Sequence, residues 1–148
     1  MAASPSAYGQ YRQVQVNTAS PGKLIVLLYQ GAIRAMKQGI DLTDKKDFEG
    51  KGNALIKAQD IIMELNLALD MDIGGEISHS LRQLYLYIYK RLLDANMELN
   101  VDYIQECIGI MENLLGAWEL AVQETEGAGS PAHKPGLSVT GEFMIDAG

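Results

Sequence analysis

Four stretches of the chain repeat apolar residues at the three- and four-residue spacing of an α-helix, and short breaks separate them. Stretches of similar length with short connections place neighbouring helices antiparallel. The pattern therefore predicts an all-α fold, an antiparallel up-down four-helix bundle. The first helix begins at Ser20, a good N-cap followed by Pro21. The first three predicted helices cover about residues 20–44, 48–69 and 76–99, and the fourth is capped by Asn100 or Asp102 and ends near Glu124.

The two ends of the chain differ in composition from the helical stretches. Residues 1–19 are small and polar, and we expect them to form an N-terminal arm. The bundle domain is predicted to cover 20–126, and 127–148 is predicted to be a flexible linker and tail, because GAGSPAHKPG at 127–136 has no apolar period. Apolar residues return at 137–145, so this segment either docks somewhere or stays free.

Charge and hydropathy limit the classes of partner. The formal net charge is −7 and no long basic cluster occurs, which argues against nucleic acid or anionic lipid as the main partner. The apolar run 24–29 is too short to span a bilayer or to form a convincing signal-peptide core. We therefore expect a cytoplasmic protein without membrane insertion.

The first and third helices carry more apolar residues than one bundle core requires. On the first helix, apolar residues occupy roughly 220° of the circumference at 100° per residue. Two interpretations stay open. In the first, the surplus residues form a groove for an apolar partner. In the second, no partner is needed, because the surplus residues make broad core contacts or are covered by the arm or tail of the same chain. We predict that the surplus residues face a partner. They are Ile25, Tyr29, Ile33 and Met36 on the first helix, and Leu86, Tyr89, Leu93 and Met97 on the third.

Motifs for catalysis or metal binding are weak. The SPGK sequence at 20–23 lacks the first glycine and the Ser or Thr of a P-loop. Glu76 and His79 have the Glu-x-x-His spacing of di-iron bundles, but His133 is the one other histidine and lies in the linker. Cys107 is expected to be a buried small hydrophobe. We predict no enzyme activity, no cofactor and no metal site.

Two other functions remain open beside the binding of an apolar partner segment. His79-Ser80-Leu81-Arg82-Gln83 resembles the His-x-Leu-Lys-Gly signature of histidine phosphotransfer domains, which are also four-helix bundles. Arg82 and Gln83 depart from that signature. The other alternative is a generic helical adaptor that binds another helix or a second copy of itself.

Motifs along most of the chain resemble the family of flagellar secretion chaperones called FliS. The resemblance covers about residues 7–124, and the order and spacing of the motifs are more specific than any one of them. The tail after about Gly127 matches no motif of the family, and Gln30 stands where many members have an acidic residue. The matching motifs are Ala7-Tyr8, Thr18-Ala19-Ser20-Pro21, Leu28-Tyr29-Gln30-Gly31-Ala32, Lys57-Ala58-Gln59-Asp60, Leu92-Leu93-Asp94-Ala95-Asn96 and Ala117-Trp118.

The resemblance implies a function as well as a helical bundle. Members of the family bind the C-terminal segment of flagellin in the cytoplasm, which prevents premature polymerisation and keeps flagellin ready for the flagellar export apparatus. The resemblance also implies that Tyr8 in the arm docks to the export gate. A segment that folds on binding loses conformational entropy and needs a large apolar surface in return, which the surplus stripes would supply.

Overall fold

The structure is a computed structural model, and it describes residues 20–128, with side chains to Thr125. Within this range the chain forms helices and no strand. No helix in residues 20–128 combines the length and the apolar character needed to cross a membrane. The helices are α1 (Pro21–Asp44), α2 (Phe48–Leu67), α3 (Met71–Glu98) and α4 (Val101–Ala128).

Polar side chains cap the N-termini of the helices. Ser20 Oγ accepts a hydrogen bond from Lys23 N at 3.3 Å, and Asp47 Oδ1 accepts one from Gly50 N at 3.0 Å. Each cap satisfies a main-chain N–H that has no partner within its helix. The other two capping residues are Asp70 for α3 and Asn100 for α4.

The helices close into a ring in chain order. α1 packs against α2 and α4, and α3 packs against the same two helices, so α1 and α3 lie diagonally across the bundle. Gly39 lets α1 and α2 approach closely, because a Cβ atom there would lie 2.9 Å from Leu55 Cδ2. The predicted antiparallel up-down four-helix bundle is confirmed.

The bounds of α3 and α4 differ from the sequence prediction. The Gly74-Gly75 pair falls between the predicted second and third helices, but α3 begins earlier than predicted, at Met71, and passes through the pair. Gly75 has φ 54° and ψ −126°, a left-handed conformation that glycine adopts without a Cβ clash, and the helix kinks there. Ile77 is exposed just beyond this kink. α4 continues to Ala128, past the predicted end near Glu124.

Candidate partner-binding face

The outer side of α3 carries a row of exposed apolar side chains, which we call the α3 face. Its members follow one another at spacings of three, four and four residues, so they fall within roughly 80° of the helix circumference. The row extends about 16 Å along the helix axis. The exposed fractions are Leu86 45%, Tyr89 37%, Leu93 39% and Met97 72%.

The α3 face lies on the side of α3 next to α2. Gln59 Nε2 on α2 donates a hydrogen bond to the carbonyl oxygen of Tyr89 at 3.2 Å. Near the other end of the row, Lys51 Nζ on α2 donates to the carbonyl oxygen of Asn96 at 3.0 Å. α2 contributes exposed apolar side chains of its own, with Ile56 46% and Leu67 75% exposed. The apolar surface therefore includes parts of both helices.

The opposite flank of α3, towards α4, is polar. Glu106 on α4 accepts hydrogen bonds from the Tyr87 hydroxyl at 2.5 Å and from Arg91 Nε at 2.9 Å. These two bonds hold the pKa of the Glu106 carboxyl below its ordinary value. The Arg91 guanidinium also lies 3.9 Å from the centre of the Tyr103 ring. The cluster joins α3 to α4 and bounds the apolar surface on that side.

The prediction that an apolar stripe of α1 faces a partner is wrong, because the residues of this stripe do not lie on the surface. Ile25, Tyr29, Ile33 and Met36 are at most 6% exposed and belong to the hydrophobic core. The physical reason is that α1 has two neighbours, α2 and α4, so both of its apolar flanks are covered. For α1, the structure therefore supports the other interpretation of the surplus apolar residues, in which they make broad core contacts.

A pair of hydrogen-bonded tyrosines lies in the middle of this core. The hydroxyl oxygens of Tyr29 on α1 and Tyr85 on α3 are 2.5 Å apart, and both side chains are buried. The Tyr29 ring also packs against Trp118 of α4 at 6.4 Å between ring centroids. Burial raises the pKa of Tyr29 to about 12 and that of Tyr85 well above its ordinary value. Both hydroxyls therefore stay protonated and satisfy each other at neutral pH.

The buried amine of Lys51 was not predicted from the sequence. Its Nζ atom donates to the carbonyl oxygen and to Oδ1 of Asn96, the latter at 2.5 Å. The Asn96 carbonyl belongs to the last turn of α3, where main-chain oxygens lack partners within the helix. Lys51 thus caps the C-terminal end of α3 from a neighbouring helix, and burial lowers its pKa. Nothing in the sequence around Lys51 distinguishes it from an ordinary solvent-exposed lysine on a helix.

The candidates for chemistry do not assemble into a site. Within residues 20–128, no three His, Cys, Asp or Glu side chains come together in a way that would hold a metal ion. His79 is exposed on α3. Cys107 is buried, as expected, and burial raises the pKa of its thiol to about 12, which leaves it protonated and unreactive. Tyr8, the predicted export-gate residue, lies outside the described residues.

The described residues define a class: a helical bundle with a closed core and one exposed apolar face, bordered by charged groups. Comparison with known proteins identifies the family. A family model described as flagellar protein FliS matches residues 4–125. The chain belongs to this family.

Curated relatives and a solved structure agree with the family. The chain is 38% identical over 116 residues to the flagellar secretion chaperone FliS of Bacillus subtilis, covering 78% of this chain and 86% of the relative. It is 39% identical over 114 residues to the flagellar secretion chaperone FliS of Salmonella typhimurium, covering 74% and 84%. A crystal structure of a bacterial flagellar chaperone has the same fold, with a TM-score of 0.67 and 23% identity over 80% of this chain and 97% of that one.

Proposed function

We propose that the protein is a cytoplasmic, non-enzymatic export chaperone that binds the C-terminal segment of flagellin. The observation that carries the proposal is the family match, which spans nearly the whole bundle and part of the arm. The relatives at 32–39% identity are named flagellar secretion chaperones. Binding would keep flagellin from polymerising and would deliver it to the flagellar export apparatus.

The α3 face is the proposed seat for flagellin. The α3 face is the part of the predicted partner surface that is exposed, whereas the predicted α1 residues belong to the core. A segment that is disordered alone must bury apolar area to offset the cost of ordering. Side chains such as Met97 and Tyr89 suit this role, because Met is flexible and Tyr adds a large apolar ring at low entropic cost.

The arm has a separate proposed role. The resemblance to the family places the export-gate contact at Tyr8, which precedes the bundle by a dozen residues in the sequence. A docking residue outside the bundle would leave the α3 face available for flagellin. The same bundle would then carry flagellin while its arm contacts the gate.

The test is calorimetric titration of the full chain with flagellin from the same organism. We expect saturable binding to full-length flagellin and none to flagellin that lacks its C-terminal segment. Equal affinity for full-length and truncated flagellin would contradict the proposed target segment. Failure to bind either form of flagellin would contradict the flagellin proposal and favour the adaptor alternative.

A phosphotransfer role for His79 is the alternative with a chemical signature. Its exposure on α3 is compatible with that role, but exposure is equally typical of an ordinary surface histidine. Incubation with a phosphorylated response-regulator domain, followed by mass spectrometry, tests it. The proposed function predicts no phosphate on His79.

A further inference from the structure

The α3 face carries positive charge as well as apolar groups. Arg82 precedes Leu86 by four residues and Lys90 follows it by four, so both side chains lie on the same side of the helix as the face. Both are exposed, and Lys90 Nζ lies 3.4 Å from Asp94 Oδ1 in a pair whose lysine is 69% exposed. Asp94 offsets part of the charge of Lys90, so the excess positive charge of the face lies at Arg82, and a segment that is both apolar and acidic is complementary to it.

One segment of the chain outside the described residues has that composition. In LSVTGEFMI, residues 137–145, the apolar Leu137, Val139, Phe143 and Ile145 lie at even spacings. This alternation is typical of an extended segment with one apolar side. The segment contains Glu142, Asp146 follows it, and neither Lys nor Arg occurs in 137–148. The arm does not match in charge, since Arg12 is the one charged residue in 1–19.

The tail is long enough to reach the α3 face. α3 and α4 run antiparallel, with Arg91 Nε 2.9 Å from Glu106 Oε1 and Cys107 Sγ 3.9 Å from the carbonyl oxygen of Ile88. Extending this register places Ala128 about 30 Å from the level of Leu86 along the axis. Residues 129–136 span up to about 27 Å when extended, and 137–145 add about 30 Å. The segment can therefore lie along the face without any change in the bundle.

We propose that residues 137–145 dock on the α3 face and compete there with the partner segment. Phe143 and Ile145 contact the apolar row, and Glu142 and Asp146 lie near Arg82 and Lys90. Docking of the tail on the α3 face involves no other protein. Competition between the tail and the flagellin segment rests on the proposed function. The matched family region ends at residue 125, so the docking segment lies outside it.

Docking is tested in the free, full-length protein by paramagnetic relaxation. A nitroxide is attached at Met144→Cys, while the buried Cys107 remains unlabelled. We expect broadening of the amide signals of Leu86, Tyr89 and Leu93 and none at Arg34 on the outer side of α1. The charge reversal Arg82→Glu/Lys90→Glu should abolish the broadening, and the control reversal Arg34→Glu/Lys45→Glu should preserve it.

Three results would overturn docking. The first is an absence of broadening on α3 in the wild-type protein. The second is broadening that survives Arg82→Glu/Lys90→Glu unchanged. The third is broadening of the α3 face by a label at Val14→Cys but not by one at Met144→Cys, which would identify the arm as the occupant.

Competition is tested by titrating a flagellin C-terminal peptide. If the segment covers the face for 80–90% of the time, its release should tighten the apparent Kd about five- to tenfold. We expect this gain in the full-length variant Phe143→Asp/Ile145→Asp, and no gain in the control Ser138→Asp/Thr140→Asp. Equal peptide affinity in wild type and Phe143→Asp/Ile145→Asp would overturn competition. A peptide that binds neither would overturn the proposed function, while docking would still be decided by the relaxation measurement.

Discussion

Tyr29 on α1 and Tyr85 on α3 meet across the diagonal of the bundle, with 2.5 Å between their hydroxyl oxygens. Each hydroxyl is buried and each is satisfied by the other. A polar pair in an apolar core is costly when one member is missing, because the remaining hydroxyl has no water to replace its partner. The pair therefore couples the two diagonal helices and favours one register between them.

Removing both hydroxyls should cost less than the two single removals added together. We expect Tyr29→Phe to lower the free energy of unfolding by about 1–3 kcal/mol, since Tyr85 is left unsatisfied. Tyr29→Phe/Tyr85→Phe should lie closer to wild type than the sum of the two single changes. Urea denaturation of the four proteins of this double-mutant cycle measures the coupling. Additive losses would show that the two hydroxyls do not depend on each other.

The same pair should make the protein sensitive to alkaline pH. The folded-state pKa is raised to about 12 for Tyr29 and well above the ordinary value for Tyr85. The folded state thus holds protons that the unfolded state releases near pH 10, so stability is fully present below pH 10 and falls as the pH rises towards about 12. The pKa of Cys107, raised from 9.0 to about 12, acts in the same direction from about pH 9. Burial of Lys51 lowers its pKa and therefore acts in the opposite direction.

Urea midpoints between pH 8 and 11.5 check this dependence. The wild-type midpoint should fall through the upper part of the range. Tyr29→Phe/Tyr85→Phe should lose less over the same interval, and Cys107→Ala should remove the earliest part of the fall. A double tyrosine variant with the wild-type pH profile would assign the alkaline loss to other groups.

Close packing of α1 on α2 gives a prediction with a matched control. Gly39→Ala would place a methyl group 2.9 Å from Leu55 Cδ2, and Leu55 is fully buried, so it has little room to move. Overpacking of this kind costs about 1–3 kcal/mol, which exceeds the roughly 1 kcal/mol that alanine gains over glycine in a helix. Gly109 on α4 is exposed, and a Cβ atom added there would meet no atom of the described residues within 4 Å. Thermal unfolding should show Gly39→Ala below wild type and Gly109→Ala above it; the reverse order would contradict the packing.

Ile33 and Leu93 should respond differently to the same substitution. Ile33 is 6% exposed and Leu93 is 39% exposed. Ile33→Glu would bury a carboxylate among apolar groups, and we expect a loss of more than about 4 kcal/mol, or failure to fold. Leu93→Glu should change the free energy of unfolding by less than about 1 kcal/mol, because the carboxylate can reach water. Circular dichroism with urea denaturation compares them, and a stable Ile33→Glu variant would show that the α1 stripe is not core.

The helices are predicted well from the sequence because their signals are local. Ser20 and Pro21 specify the start of α1, and the charged turn before Phe48 specifies the start of α2. The predicted start of α3 is too late, since Gly75 is a kink inside the helix and not a break. A glycine permits either a kink inside a helix or a break between two helices. Here the kinked helix is favoured by the Asp70 cap and by Ser78 Oγ, which donates to the Asp70 carbonyl oxygen at 2.9 Å.

The candidate face was predicted only in part because apolar width on a helix does not reveal how many neighbours cover it. The stripes of α1 and α3 look alike in sequence. Packing distinguishes them: the Tyr29 side of α1 meets α3 and α4 side chains, whereas the Leu93 side of α3 stays exposed in the bundle of residues 20–128. The charged cluster around Glu106 was not predicted either, because it depends on the register of α3 against α4.

The central claim is that the α3 face binds the C-terminal segment of flagellin. It is tested most directly by the affinity of a flagellin C-terminal peptide for wild type, Leu93→Glu and Leu120→Glu, measured by fluorescence anisotropy. Leu120 on α4 is 61% exposed and serves as the control for an added surface charge away from the face. We predict that Leu93→Glu weakens binding at least about tenfold, equivalent to about 1.4 kcal/mol, and that Leu120→Glu binds as wild type does. A folded Leu93→Glu variant with wild-type affinity would contradict the claim.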